Sequence, residues 1–248
     1  MGTVAQEGKK PRGLGRALLL ALGVDYLVFV AADILAYLGG GVSGLSFWLK
    51  ILASLLCTVL AWLGWRKSSR SKADLARALG FCFTFLGDLA VLLNTYKVLD
   101  LPLVFAVGGY LFIPGLLLIS FRNAGAFGFL RAQDVSLRRR LLFPLAFYLP
   151  FLLLLALVGR ALAGVGLLGL GIAYGLCLVT LLWTGWEALR SRLYPRPRAV
   201  MIALGASLVF VMELVGLVYN LKVPGLSDIA FFATWILYVP GMALLAWA

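Results

Sequence analysis

Of the 248 residues, 63% are hydrophobic and only 13% charged, with a formal net charge of +12 at neutral pH. No water-soluble domain of this size needs so much apolar surface. The basic residues lie in short clusters between apolar runs, which argues for a membrane protein and against a nucleic-acid partner. With no histidine in the chain, histidine-based zinc sites, proton relays and serine triads are excluded. The three cysteines, Cys57, Cys82 and Cys177, show neither metal-ligand nor disulfide spacing, so no metal and no cofactor is expected.

A basic segment, residues 1–15, comes first. The apolar run after it is too long for a cleaved signal and is itself a span. Runs of about 20 apolar residues mark spanning helices, and eight follow in order, over residues 16–38, 45–65, 73–96, 102–121, 141–160, 165–189, 199–220 and 228–248. Turn formers separate them at Gly39-Gly40-Gly41, Pro102, Gly164, Pro195-Arg196-Pro197 and Pro224-Gly225. The expected fold class is all-α, a polytopic membrane protein whose eight helices form one membrane domain, 16–248. The longest loop, Arg122 to Arg140, is basic, and Phe127, Phe129 and Leu130 suit a short surface helix within it.

Eighteen of the 22 Lys and Arg residues fall on one side of these spans, at residues 9–16, 66–77, 122–140 and 190–198. Only Lys97, Arg160 and Lys222 fall on the other, and Lys50 lies within a span. The positive-inside rule then puts both termini in the cytoplasm, in a bacterial inner membrane or the endoplasmic reticulum.

The two halves are related in pattern. Asp88 and Glu213 stand 125 residues apart, as do Lys97 and Lys222. Each acid is followed by a Pro-Gly, at Pro114-Gly115 and Pro240-Gly241, and preceded by a Cys and a Trp-x-Gly-Trp, at Cys57 with Trp62–Trp65 and Cys177 with Trp183–Trp186. This predicts two parallel four-helix repeats, 16–121 and 141–248, with Asp88 and Glu213 facing each other across the centre.

An ionised carboxylate in hydrocarbon costs several kcal/mol, so an intramembrane acid needs a partner, a proton or a function. Counting helix rise places Asp33, Lys50, Asp88 and Glu213 roughly 7–12 Å below the outer boundary. Tyr110, Tyr174 and Tyr238 come out near the same level, and Asp25 deeper, near the midplane. These residues form either one polar chamber or separate ion pairs, such as Lys50 with Asp33, that fix helix packing. Two carboxyl groups in unequal environments can divide acid and base duties. That suits hydrolysis of an acid-labile ether and proton-coupled transport alike.

Phe47-Trp48-Leu49-Lys50, Phe83-Thr84-Phe85-Leu86-Gly87-Asp88-Leu89, Ala173-Tyr174-Gly175-Leu176 with Trp183, and Leu204-Gly205-Ala206-Ser207-Leu208-Val209-Phe210 stand in a telling order. In sequence and spacing they resemble the motifs of the YhhN family of lysoplasmalogenases, membrane enzymes with eight spans. The chain departs from that pattern at Ile51, where Pro is usual, at Gly108-Gly109, where Ala-His is usual, and at Met212-Glu213, where Ser-Asp or Ser-Asn is usual.

The resemblance implies cleavage of the vinyl ether bond of a lysoplasmalogen, a lysophospholipid drawn from among membrane lipids, to a fatty aldehyde and a glycerophospho-alcohol. Asp88 and Glu213 would be the acid/base pair. Tyr110, Tyr174 and Tyr238 would orient substrate, with Lys50 on a phosphate or carboxylate and Asp33 beside it. The competing expectations are a proton-coupled lipid or small-solute transporter and a non-catalytic lysolipid-binding protein.

Overall fold

The structure is a computed structural model that describes residues 12–39, 44–68, 70–99, 101–125, 137–164, 166–221 and 226–248. They form α1 (Arg12–Leu38), α2 (Gly44–Lys67), α3 (Lys72–Thr95), α4 (Pro102–Asn123), α5 (Leu137–Gly164), α6 (Leu168–Arg190), α7 (Arg196–Asn220) and α8 (Ser227–Trp247). All eight are long and apolar enough to cross a membrane, so the protein is an all-α, multi-pass membrane protein. The expected surface helix around Phe127 to Leu130, and Lys222, lie outside the described residues.

Local chemistry sets the helix ends. Ser71 caps α3 by accepting the Asp74 amide at 3.1 Å, and Pro102 and Pro197 begin α4 and α7, where a missing amide hydrogen costs nothing. At the end of α5, Gly166 takes φ 74° and lets the Leu167 amide return to the Leu162 carbonyl at 2.9 Å. The helix surface facing outward is apolar: Leu20, Leu103 and Leu157 are 72, 73 and 82% exposed. In water this would aggregate, whereas in a bilayer it is solvated.

Helix neighbours follow the same order in the two halves. Packing runs α1 on α2, α2 on α3, α3 on α4, and α4 on α6; then α5 on α6, α6 on α7, α7 on α8, and α8 on α2. The closest approach in each half is made by glycines. A Cβ on Gly80 would sit 2.8 Å from the Gly115 carbonyl oxygen, and one on Gly205 would sit 2.8 Å from that of Gly241. Where lipid removes the hydrophobic drive between helices, such backbone contact supplies the dispersion energy. The halves differ at their outer helices, since α1 also touches α8 while α5 packs chiefly on α6.

The basic end is tied together by one acid. Asp74 Oδ1 lies 3.3 Å from Arg122 Nε and 3.5 Å from both Arg77 Nη2 and Arg198 Nη2. Arg122 and Arg198 both donate to the main-chain oxygen of Ala248, and Tyr194 lies under their guanidinium groups at 4.8 and 5.2 Å. Asp74 thereby joins α3, α4 and α7 to the end of α8. The Ser71-x-x-Asp74 spacing is a capping signal in the sequence, but nothing there shows the three arginines converging.

Replacing Gly80 or Gly205 by Ala drives a Cβ into a facing backbone, and each should cost about 1–3 kcal/mol of stability. Gly23→Ala, with nothing within 4 Å of its Cβ, is the control. Thermal unfolding in detergent should show lower midpoints for the first two; midpoints equal to the control would deny the close approach any weight.

Candidate active site

The inner face of α2 organises the polar interior. Ser46, Lys50, Ser54, Cys57 and Thr58 recur at helical spacing and are all buried. Facing groups on α1, α3 and α8 meet Ser46, Lys50 and Ser54 in two separate clusters.

The first cluster is a closed ring toward the end of the bundle opposite the basic one. Lys50 Nζ, 0% exposed at its side chain, lies 2.8 Å from Asp33 Oδ2. It also donates to the Tyr96 hydroxyl at 3.1 Å. Tyr96 donates to Ser46 at 3.2 Å, and Ser46 donates to Asp33 Oδ1, closing the ring. Tyr96 stands just past the end of α3, and burial pushes its phenol up to about 12, so it keeps its proton to donate at neutral pH. The rings of Phe231, Tyr96 and Trp235 surround the Lys50 ammonium at 5.0, 5.6 and 5.6 Å.

The second cluster opens on a cavity of about 280 Å³ that reaches helices α3 to α8. Asp88 on α3 and Glu213 on α7 both line it. Asp88 Oδ2 accepts from Ser54 at 2.5 Å and from the Tyr238 hydroxyl at 2.7 Å. Glu213 Oε1 accepts from the Tyr174 hydroxyl. Neither acid has a cation within ion-pair distance among the described residues. The rest of the wall is apolar, including Phe112, Phe151, Leu155, Phe210 and Trp235. Phe151 holds α5 in place by seating on Gly175, where a Cβ would meet its ring at 2.4 Å.

The two halves support their acids in matching ways. Ser54 precedes Asp88 as Tyr174 precedes Glu213, and Ser54 and Tyr174 stand 120 residues apart, as do Cys57 and Cys177. Each donor sits on the second helix of its half and each acid on the third. A serine on one side and a tyrosine on the other give the two carboxyl groups unequal surroundings.

Four of the expected site residues therefore come together: Asp88, Glu213, Tyr174 and Tyr238. Three do not. Lys50 and Asp33 are spent on each other, behind the wall made by Phe231 and Trp235. Tyr110 is 59% exposed and lies away from the cavity. Helix rise does not give direction: Gly108 and Phe112 mark the inner face of α4, and a residue two positions from Gly108 points about 200° round the helix. Among the described residues, no group of three or more His, Cys, Asp or Glu could hold a metal ion. Ser54, Ser46 and Tyr96 are functional neighbours that the sequence did not single out; the spacing of Ser46, Lys50 and Ser54 by four was the available signal.

Comparison of the chain with protein-family models, curated proteins and solved structures finds no match.

Removing the Lys50 cation leaves Asp33 charged, buried and unpaired. Lys50→Met should therefore cost about 3–5 kcal/mol, and adding Asp33→Asn should restore much of the loss. Thermal melts of the two single variants and the double variant measure this coupling; additive losses would mean that the pair is not a unit.

Proposed function

We propose that this protein is an integral-membrane hydrolase that cleaves the vinyl ether bond of a lysoplasmalogen, as its resemblance to the YhhN family implies. The observation that carries this is the meeting of Asp88 and Glu213, one from each half, on a single apolar cavity, each held by hydroxyl groups and neither by a cation. A carboxyl group in such surroundings keeps the freedom to give and take a proton that an ion-paired one loses.

The chemistry follows from that freedom. One carboxyl group protonates the vinyl carbon remote from oxygen, and the double bond's electrons form the new C–H bond. The oxocarbenium ion left behind is stabilised by the other carboxylate in a low-dielectric site. Water adds to the cationic carbon and gives up a proton to that carboxylate. The resulting hemiacetal collapses, its hydroxyl proton passing to the departing oxygen, to release a fatty aldehyde and the glycerophospho-alcohol. Tyr238 and Tyr174 keep the two acids oriented.

With Lys50 engaged by Asp33, the lipid phosphate falls to the cavity mouth. There Lys97 is exposed just beyond Thr95, a residue of the wall. Both termini lie in the cytoplasm on this view, and the substrate enters from the opposite leaflet.

Purified protein should release aldehyde from a defined lysoplasmalogen, and Asp88→Asn and Glu213→Gln should each lower the rate by about 100-fold or more. Tyr238→Phe should lower it less, because it leaves the carboxyl group in place. Wild-type rates in both acid variants would remove these residues from the chemistry. No aldehyde from the wild type, at any pH or headgroup, would favour lysolipid binding or transport instead.

A further inference from the structure

The basic end holds a second cavity, at the turn between α6 and α7. Leu189, Arg190, Arg192, Tyr194, Arg196 and Ala199 line it. It is separate from the cavity of Asp88. Leu178, the α6 residue of that wall nearest the basic end, stands twelve residues before Arg190, about 18 Å along the helix.

The turn is pinned in a way that leaves its arginines outside. Tyr194 donates its hydroxyl to the Arg122 carbonyl at 2.5 Å, and its ring lies under Arg122 and Arg198. Leu193 lies over Gly125, where a Cβ would stand 3.6 Å from the leucine methyl carbons. Both anchors tie the turn to the end of α4. Arg192, at φ 53°, and Arg196 remain exposed. Among the described residues neither has an ion-pair partner, and Arg190 has one, Glu187, at 2.8 Å. Glu187 engages Nε and Nη2 of Arg190, which leaves Nη1 outside that pair. Three guanidinium groups therefore converge against a single carboxylate.

Arg190 ends one apolar span and Arg196 begins the next, so the cavity stands where hydrocarbon gives way to headgroups. Trp186, one turn before Arg190 and 39% exposed, marks the same level. Like charges that merely face solvent spread apart, whereas these three share one cavity. An anion with several oxygens removes their repulsion, and planar guanidinium forks match phosphate oxygens in pairs. We propose that this cavity binds the phosphate group of an anionic lipid from the leaflet at the basic end. The site does not depend on the hydrolysis proposed above.

Native mass spectrometry of the purified protein in detergent counts bound lipid directly. Phosphatidic acid should bind at least about tenfold more tightly than diacylglycerol with the same chains, which lacks only the phosphate. Arg192→Gln and Arg196→Gln together should remove about tenfold or more of that affinity. Both side chains are exposed and unpaired, so the thermal midpoint of this double variant should match the wild type. Arg192→Lys with Arg196→Lys keeps the charge without the forks and should restore only part of the binding. Arg160→Gln, at the opposite end, should bind like the wild type. Equal binding of the two lipids, or wild-type affinity in the Gln double variant, would overturn the proposal. Full recovery with lysine would replace a built site by a diffuse positive field. Inorganic phosphate tests the other source: competition with the lipid at equal concentration would keep the phosphate site and overturn its lipid assignment.

Discussion

The cost of a charge in hydrocarbon governs this fold. Four acids, Asp33, Asp74, Asp88 and Glu213, are met from within the protein by two different means. Asp74 is surrounded by Arg77, Arg122 and Arg198, and Asp33 by Lys50. A cation at contact distance holds a carboxylate ionised and in place, which suits a tie between helices. Among the described residues, Asp88 and Glu213 are held by hydroxyl groups alone. A hydroxyl group orients the carboxyl without supplying charge, so the proton stays free to move.

The two halves share a scaffold and use it differently. Their helices pack in the same order, and their third and fourth helices approach through equivalent glycines. In the first half, α1 leans onto α8, and the space between is filled by Asp33, Ser46, Lys50 and Tyr96. In the second half, Leu170 stands 120 residues after Lys50, and it lines the cavity. From α5, Phe151, Leu155 and Leu162 line that cavity too. One side is therefore closed by polar partners, while the other borders the mostly apolar cavity. The pair of acids at the centre inherits a single accessible face.

How far this was legible in the sequence depends on which dimension is asked about. Eight spans follow from run length alone, because hydrocarbon thickness demands about 20 apolar residues whatever the packing. Basic clusters and Gly or Pro turns then locate the ends. Depth follows from helix rise, and it brought Asp88, Glu213, Tyr174 and Tyr238 to one level. Direction round the helix is harder to read, because a membrane helix is apolar on every side and shows little periodicity. For that reason the sequence does not show that Tyr110 lies on the exposed face of α4. The Asp33–Lys50 pair could be foreseen as one of two options, but Tyr96 and Ser46, which complete it, could not. They come from segments far apart in the chain and carry no local signal. Asp74 was hidden for the same reason, since its partners lie on three helices.

Lys50 poses the sharpest question, because a cation in the same bundle as two acids held only by hydroxyl groups threatens to pair with them. Its neighbours resolve this. Asp33 takes its charge, and the rings of Phe231, Tyr96 and Trp235 surround the rest of the ammonium, a contact that is favourable once the group is desolvated. Phe231 and Trp235 also belong to the cavity wall. The same two side chains therefore satisfy the cation and screen it from the cavity. Had Lys50 reached through to Asp88, the result would be another fixed ion pair like that of Asp33. The aromatic wall is what allows an ion pair and two acids held by hydroxyl groups to stand side by side in one membrane domain.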